Sequence, residues 1–304
     1  MKTRTIESRQ SDTVMASPPQ PGTSTPRRKK RREPILLHAM LAAYCLSTSG
    51  AFVWYLMTSL KTNPEFLSTS PWSLPDKPRF ENFADAWRVA GIGQFVANSF
   101  YVTVVSVVVG LTISSMAAYA LARIRFRGRN LAVALILGSM LMPGFGAIIP
   151  LYFLLRDLHL LGTLTGLILV YIATQVPLSV FILRSFYVSL PIELEEAAYL
   201  DGASASRTFF QVVLPQTAPV LASLAILNAL NAWNEFLLAL VLLPDRSQQT
   251  IAVGLLGLSV EADSSGLWVQ LFAGLIISSV PMLLIFAVAQ RRIAGALTSG
   301  GLKG

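Results

Sequence analysis

Charge is scarce in this sequence. Only 13% of its 304 residues are Asp, Glu, Lys or Arg, whereas soluble globular domains carry about 25%. At the same time 53% of the residues are hydrophobic, and the mean hydropathy is +0.58. These values exclude an ordinary soluble domain and indicate a chain built for the lipid bilayer.

Residues that carry catalysis or bind metal are also few. The single cysteine, Cys45, excludes an internal disulfide, and its apolar neighbours predict a small buried side chain rather than a reactive thiol. The two histidines, His38 and His159, are far apart and give no metal-ligand spacing with that cysteine. The sequence has no Gly-x-x-x-x-Gly-Lys-Ser/Thr loop for nucleotide phosphates and no candidate Ser/His/Asp set. We therefore expect no catalytic residue, no metal site and no cofactor in this chain.

Basic residues outnumber acidic ones, but their placement does not favour a nucleic-acid partner. The net charge is +8, and the densest basic cluster, 27–32, lies directly before the first apolar run, where it is typical of a topology determinant. Residues 1–26 are rich in Ser, Thr, Pro and Gln, so we predict a disordered basic tail over 1–34. The apolar run that follows is too long for a signal peptide.

Six apolar segments are each long enough to cross a bilayer, which takes about 20 residues. They are roughly 35–60, 94–122, 131–155, 163–183, 216–243 and 268–289. The predicted fold class is therefore an all-α integral membrane protein with six transmembrane helices. The third segment contains Pro143, Gly144, Gly146 and Pro150, which predict a kink or local unwinding, either as simple packing or as a functional hinge.

Lysine and arginine set the predicted orientation. With the N-terminus in the cytosol, 18 of the 24 basic residues fall in inner segments and 6 in outer ones, and basic residues concentrate on the cytosolic side. We therefore predict a multi-pass protein of the cell membrane with both termini in the cytosol. The outer loop 61–93 is rich in proline and aromatic residues and is predicted to be ordered, either to contact an extracytoplasmic partner or to cap the helix bundle.

The predicted cytosolic loop between spans four and five reads EEAAYLDGASASRTFFQVVLPQ over 195–216. Its glutamates complement the positive end of a helix dipole, Gly202 suits a left-handed helix end, and Ser204 can cap a second short helix. Pro215 marks the entry to the fifth span. Helices that rest on lipid are usually rich in Lys and Arg, whereas this loop is acidic. A helix, a tight turn and a second helix that fit a protein groove are therefore predicted.

This loop contains a spaced sequence motif: Glu-Ala-Ala, then three residues, Gly, nine residues, an aliphatic residue, one residue and Leu-Pro. The matching residues are Glu196, Ala197, Ala198, Gly202, Val212, Leu214 and Pro215. The pattern resembles the EAA loop of binding-protein-dependent ABC importer permeases, with valine in place of the usual isoleucine. The stretches MLMPGFGAIIPLYFLL, WNEFLLAL and SVPMLLIFAVAQRR further resemble the MalG-like, six-span subunit of the carbohydrate-uptake permeases.

The resemblance covers roughly 35–304 and implies a domain organisation. It implies a first transmembrane helix and extracytoplasmic loop at 35–93, an ABC transporter type-1 (type I importer) transmembrane domain at 94–290, and a cytosolic tail at 291–304. It also implies partners: a second homologous permease, a dimer of ABC ATPases that binds ATP and Mg, an extracytoplasmic solute-binding protein and membrane lipid. The cargo that it implies is a sugar, expected to be a di- or oligosaccharide.

The resemblance further implies that the acidic loop is a coupling helix, which docks in a cleft of one ATPase and carries its motion to the spans. The residues implied in this coupling are Glu195, Glu196, Ala197, Ala198, Asp201, Gly202, Leu214 and Pro215.

Polar residues inside apolar spans are candidates for the solute pathway, because burying them in lipid is costly. On a continuous fifth span, Asn228, Asn231 and Glu235 fall within an arc of about 60°. Tyr171 and Gln175 form a similar patch in the fourth span. Amide and carboxylate groups suit a hydroxyl-rich solute, but the same groups also bond packed helices to one another, and both interpretations stay open.

Two other functions compete with sugar import. A stand-alone secondary transporter or channel usually shows internal repeats or intramembrane ion-coupling charges, and neither is apparent. The same machinery carrying a phosphorylated polyol or another small polar solute should display additional Arg or Lys inside the spans. None is apparent in this chain, although a partner permease would be able to supply them.

Overall fold

Helices make up every regular element of the described chain. The computed structural model describes the backbone of residues 35–141 and 144–300, and these ranges contain no strand. The predicted disordered tail at 1–34 lies outside the described residues, as do 142–143 and the final residues 301–304 of the predicted cytosolic tail. By its contacts the chain divides into two compact units, 1–48 and 49–304.

The described residues form fourteen α-helices. They are α1 (Ile35–Ser59), α2 (Asn63–Ser68), α3 (Glu81–Arg88), α4 (Ile92–Arg123), α5 (Arg129–Ser139), α6 (Ile148–Asp157), α7 (Leu164–Ser189), α8 (Glu193–Leu200), α9 (Ala205–Thr208), α10 (Leu214–Gln216), α11 (Ala218–Asn234), α12 (Leu237–Leu242), α13 (Ile251–Ser265) and α14 (Trp268–Gly300). A π-helical turn, Phe209–Val213, joins α9 to α10. Short 3-10 turns, Gly144–Ala147 and Arg246–Gln248, precede α6 and α13.

Several of these helices are long and apolar enough to cross a membrane. Among the described residues, Leu36–Ser59, Ile92–Arg123, Leu164–Ser189 and Trp268–Ala287 each qualify alone. A fifth crossing exists if Ala205–Gln216 and α11, which meet at an angle of 73°, are one span. The all-helical, multi-pass fold class is therefore confirmed, while the count of six spans stays a prediction.

The third predicted span is not one helix. α5 ends at Ser139, and the chain continues through the 3-10 turn that contains Gly144 and Gly146 before α6 begins. Glycine loses more backbone entropy than other residues in a helix, which favours the break here. Pro150 occupies the first turn of α6, where a missing N–H costs little. The predicted local unwinding is confirmed at these glycines, whereas Pro143 lies outside the described residues.

The fifth predicted span, 216–243, is wrong as a continuous helix beyond Asn234. Glu235 has extended backbone (φ −66°, ψ 128°), and α12 begins two residues later. The Glu235 carboxylate accepts hydrogen bonds from the backbone N–H of Leu238 at 2.7 Å and of Ala239 at 3.0 Å. An acidic cap at a helix N-terminus is stabilising, so this local bonding starts a new helix in place of continuing the old one.

Cys45 is exposed on α1, so the prediction of a buried side chain is wrong. All described side chains from 36 to 53 are exposed. Apolar neighbours on a membrane-spanning helix match the hydrocarbon around it and need no protein core.

Helices α4 and α7 pack closely against each other and form the most extensive helix–helix contact within residues 49–304. A Cβ added to Gly110 on α4 would lie only 3.6 Å from Oε1 of Gln175 and 4.0 Å from the backbone of Ile172, both on α7. Small residues let membrane helices approach this closely. Towards the predicted cytosolic end, the same pair buries Tyr119 and Tyr187 beside the acidic loop.

The outer loop after α1 is ordered, as predicted. Lys61 is buried, and Asn82 donates hydrogen bonds to the backbone oxygens of Ser59 and Lys61, both at 2.8 Å. Asn63 donates to Oε1 of Gln270 on α14 at 3.2 Å. These contacts fix the loop onto the helix bundle, and docking of an extracytoplasmic partner stays a prediction.

Candidate functional site

The acidic loop folds as a helix, a tight turn and a second helix, as its sequence predicts. α8 ends before Gly202, whose φ of +79° lies in the left-handed region. Its N–H donates to the carbonyl of Tyr199 at 3.0 Å, which closes the helix end. Ser204 then caps α9, accepting at its hydroxyl a hydrogen bond from the N–H of Arg207 at 3.4 Å.

One face of α8 and its turn is exposed. The predicted coupling residues Glu196, Ala197, Asp201 and Gly202 are exposed, and Ala198 is half-buried. Exposed apolar side chains accompany them: Ile192, Leu194, Tyr199, Leu200 and Phe210. Apolar side chains edged by charged ones give this face the composition of a protein interface.

Glu195 lies on the other side of α8 and is only 4% exposed. Its Oε1 accepts a hydrogen bond from Nε of Arg123 at 2.6 Å, and its Oε2 accepts one from the hydroxyl of Tyr119 at 2.8 Å. Arg123 also donates from Nη2 to the carbonyl of Leu190 at 2.8 Å. This member of the predicted coupling set therefore faces α4 of its own chain and is not presented to a partner.

Sequence reasoning missed Tyr119 and Arg123 as site residues. Arg123 was counted only among the 18 basic residues of the inner segments, and Tyr119 lies in the apolar segment 94–122. They lie four positions apart on α4 and so share one helix face, but nothing near them in the sequence points to the acidic loop about 70 residues further on. The ring of Tyr119 also packs on Phe209 at 4.8 Å and on Tyr187 at 5.8 Å between ring centroids.

Leu214 and Pro215 lie where the loop enters α11. They belong to the three-residue α10, which follows the π-helical turn and precedes the 73° bend. Proline at 215 and 219 removes two backbone donors from this stretch, and Thr217 donates its hydroxyl to the carbonyl of Val213 at 2.9 Å. The predicted entry to the fifth span is thus a sharp bend.

Three predicted solute-pathway residues bond helices together. Asn228 is buried and donates to Oγ of Ser179 on α7 at 3.1 Å. The buried Tyr171 donates its hydroxyl to Oε2 of Glu235 at 2.7 Å. Glu235 directly follows the last residue of α11, so the predicted common arc with Asn228 and Asn231 stays a prediction. The contacts of these residues favour the interhelical interpretation.

The other two residues of that set have unused polar groups. Asn231 lies on the exposed face of α11. Gln175 is buried on α7, and its Oε1 has no hydrogen-bond partner among the described residues. A buried acceptor without a partner is costly, and this Oε1 faces Gly110 at the close contact between α4 and α7.

The chain matches one protein family along most of this architecture. Residues 110–297, more than half of the chain, match the family described as binding-protein-dependent transport system inner membrane component. The chain belongs to this family. The match spans α4 from Gly110, the acidic loop and nearly all of α14, and it identifies a permease that is an inner-membrane, multi-pass subunit.

Several curated relatives of this permease are named for sugar uptake. It is 41% identical to the diacetylchitobiose uptake system permease protein NgcG of Streptomyces coelicolor over 89% of each chain. It is 33% identical to the trehalose/maltose transport system permease protein MalG of Thermococcus litoralis, over 87% of this chain and 94% of that protein. The predicted membership of the carbohydrate-uptake permeases is confirmed.

A solved structure shares the fold of this permease. It belongs to a bacterial ABC transporter involved in the import of the acidic polysaccharide alginate, with a TM-score of 0.73 and 23% identity, and the match covers 84% of this chain and 95% of that one. At this identity the likeness establishes the fold, which is that of an ABC importer permease.

Proposed function

We propose that this permease forms, with a second homologous permease, the membrane pathway of an ATP-driven importer for a di- or oligosaccharide. An extracytoplasmic binding protein delivers the sugar, and a pair of partner ATPases binds ATP and Mg. The relatives support the cargo, since they are named for diacetylchitobiose and for trehalose and maltose. Membership of this family argues against the alternative function of a stand-alone secondary transporter.

One observation carries the coupling part of this proposal. The Glu-Ala-Ala pattern folds into an acidic helix with an exposed face, and a left-handed glycine closes it. We assign the polar contacts in the ATPase cleft to Glu196 and Asp201. The small side chains of Ala197 and Ala198 would let α8 approach the cleft wall closely. Gly202 supplies the turn. Leu214 and Pro215 lead from this loop into α11, as the sequence resemblance implies.

For the solute pathway the geometry favours two of the five candidates. Asn231 offers an amide on an exposed face of α11, and Gln175 has an acceptor without a partner among the described residues. Both groups suit sugar hydroxyls, because an amide both donates and accepts hydrogen bonds. Asn228, Tyr171 and Glu235 instead hold the surrounding helices in place.

A pair of substitutions at Gly202 tests the coupling role in the complete reconstituted transporter. At φ +79° any side chain costs about 1 kcal/mol in backbone energy. A Cβ at this position would meet no non-neighbouring atom of the described residues within 4 Å. Gly202→Ala thus reports backbone strain, and a further loss in Gly202→Trp reports a clash with the ATPase.

We expect Gly202→Trp to reach the membrane but to lose uptake and the stimulation of ATP hydrolysis by loaded binding protein. Gly202→Ala should lose much less. Glu196→Ala should resemble Gly202→Trp, because it removes a charge-assisted contact of about 1.5–3 kcal/mol. The measurements are hydrolysis with and without binding protein, alongside uptake. Normal stimulation and uptake in Gly202→Trp would show that this loop is not the coupling element.

A further inference from the structure

The buried side of α8 is bonded to a helix that is remote from it in sequence. Glu195 and Arg123 are 72 residues apart along the chain. We propose that their ion pair is a positioning link, which makes α8 and the end of α4 move as one body. ATP-driven motion then enters the membrane domain through α4. This inference rests on the proposed coupling function of α8.

The link is short, buried and held at several points. The side chains of Arg123 and Glu195 are only 14% and 5% exposed, and Nε lies 2.6 Å from Oε1. Arg123 also binds the carbonyl of Leu190, just before α8, and Tyr119 binds the second carboxylate oxygen. Removing one member of a buried ion pair leaves an uncompensated charge, so the separated state is strongly disfavoured.

The end of α4 is itself stiffened by other arginines. Arg129, at the start of α5, donates from Nε to the carbonyl of Leu121 at 2.8 Å and from Nη2 to that of Ala122 at 3.2 Å. Arg184 on α7 donates to the Leu121 carbonyl at 3.4 Å. These bonds satisfy carbonyls in the last turn of α4, which have no partner inside the helix. They also join the end of α4 to α5 and α7, so we expect a displacement of Arg123 to move the ends of these helices together.

The connection from α8 to α11 has no such polar link, although only 17 residues of chain lie between the two helices. Between them lie the left-handed Gly202, the four-residue α9, the π-helical turn and the 73° bend. Among the described residues no ion pair or side-chain hydrogen bond joins α8 to α11. This path changes direction several times and is held by packing, with Phe209 and Val213 buried beside Tyr119, and not by a polar link from α8. We therefore expect α11 to follow α8 less closely than α4 does.

Paired spin labels in the complete transporter test the link directly. In a Cys45→Ser background, one label replaces Glu193 on α8, and the second replaces either Ile124, which caps α4, or the exposed Leu227 on α11. We expect the 193–124 distance to keep one narrow distribution with and without trapped ATP, whereas the 193–227 distance shifts. In Glu195→Gln the 193–124 distribution should broaden. Equal behaviour of the two distances, whether both shift or both stay, overturns the link.

Transport assays give an independent measure of the same link. Glu195→Gln and Arg123→Gln should each lower uptake about tenfold, which is the effect of one lost charge-assisted hydrogen bond. Stimulated ATP hydrolysis should persist, because the exposed face of α8 is intact. Arg125→Gln, an exposed arginine beside the pair, is the matched control and should behave like the parent.

A double variant keeps the test valid if a single variant fails to assemble. Arg123→Gln with Glu195→Gln leaves no buried charge unpaired, so it should assemble and still lose uptake. Parental uptake in this double variant, together with a defective Gly202→Trp, overturns the link and leaves the coupling role of α8 intact. A Gly202→Trp transporter with normal coupling overturns the proposed function itself.

Discussion

Two glutamates of this permease each accept a hydrogen bond from a tyrosine hydroxyl, yet their negative charges are compensated in different ways. Glu195 pairs with Arg123 as well as with Tyr119. Glu235 has no such cation among its described partners. It accepts from Tyr171 and from two backbone N–H groups at the start of α12.

The two glutamates therefore have different structural roles: Glu195 ties α8 to α4, and Glu235 marks the break between α11 and α12. The ion pair at Glu195 joins elements that are 72 residues apart, so it can carry a displacement from one to the other. The bonds from Glu235 to backbone N–H groups reach only three and four residues along the chain, so they end one helix and begin the next. A helix N-terminus offers positive dipole charge, which compensates a carboxylate that has no cation among its described partners.

Cysteine labelling tests whether the acidic loop that contains Glu195 faces the cytosol, and the expected outcome is complete labelling or complete protection. In a Cys45→Ser background, Ser70→Cys and Ser264→Cys should react with an impermeant reagent in intact cells, and Ser204→Cys should be protected. All three positions are exposed in the structure, so burial would not explain protection. Labelling of Ser204→Cys from outside would reverse the orientation and remove the basis for docking at α8.

The next largest effect is expected when Glu235 loses its carboxylate. Glu235→Ala leaves the Tyr171 hydroxyl and two N–H groups unpaired, so we expect a loss of about 1–3 kcal/mol in the free energy of unfolding. Glu235→Gln keeps an acceptor and should lose less. Thermal unfolding of the detergent-purified permease measures both.

Asn231→Ala is the matched control for this test, since Asn231 is exposed on the neighbouring α11. It should keep the parental stability and alter the maximal uptake rate or the solute preference. If Glu235→Ala is stable and assembled and changes solute preference, then Glu235 belongs to the solute pathway and the comparison with Glu195 fails.

The sequence predicted those features that depend on neighbouring residues. The turn at Gly202 and the cap at Ser204 follow from local backbone chemistry, and the membrane class follows from composition. Both glutamates were candidate residues from the sequence, but their bonding partners were not predicted, because these depend on which residues the fold brings together. Nothing local to Arg123 indicates a partner 72 residues away. The break at Glu235 was missed because hydropathy alone reads 216–243 as one apolar run.

The smallest expected effects come from removing the two tyrosine hydroxyls. Because the same change is made at both sites, these variants compare Glu195 and Glu235 most directly. Tyr119→Phe and Tyr171→Phe each delete one donor to a carboxylate and keep the ring. Each carboxylate retains other donors, so we expect a loss of about 1 kcal/mol at each site.

Hydrogen exchange locates these losses. Tyr119→Phe should speed amide exchange about fivefold in α8 and leave α12 unchanged, because the two sites share no partner. Tyr171→Phe should do the reverse. Faster exchange in both helices from either single variant would mean that the two sites are coupled through the paired α4 and α7. The Glu195–Arg123 ion pair and the helix break at Glu235 would then form one cooperative unit. Unchanged exchange in α8 for Tyr119→Phe would mean that Arg123 alone holds Glu195, since the hydroxyl at 2.8 Å would then add nothing to the link.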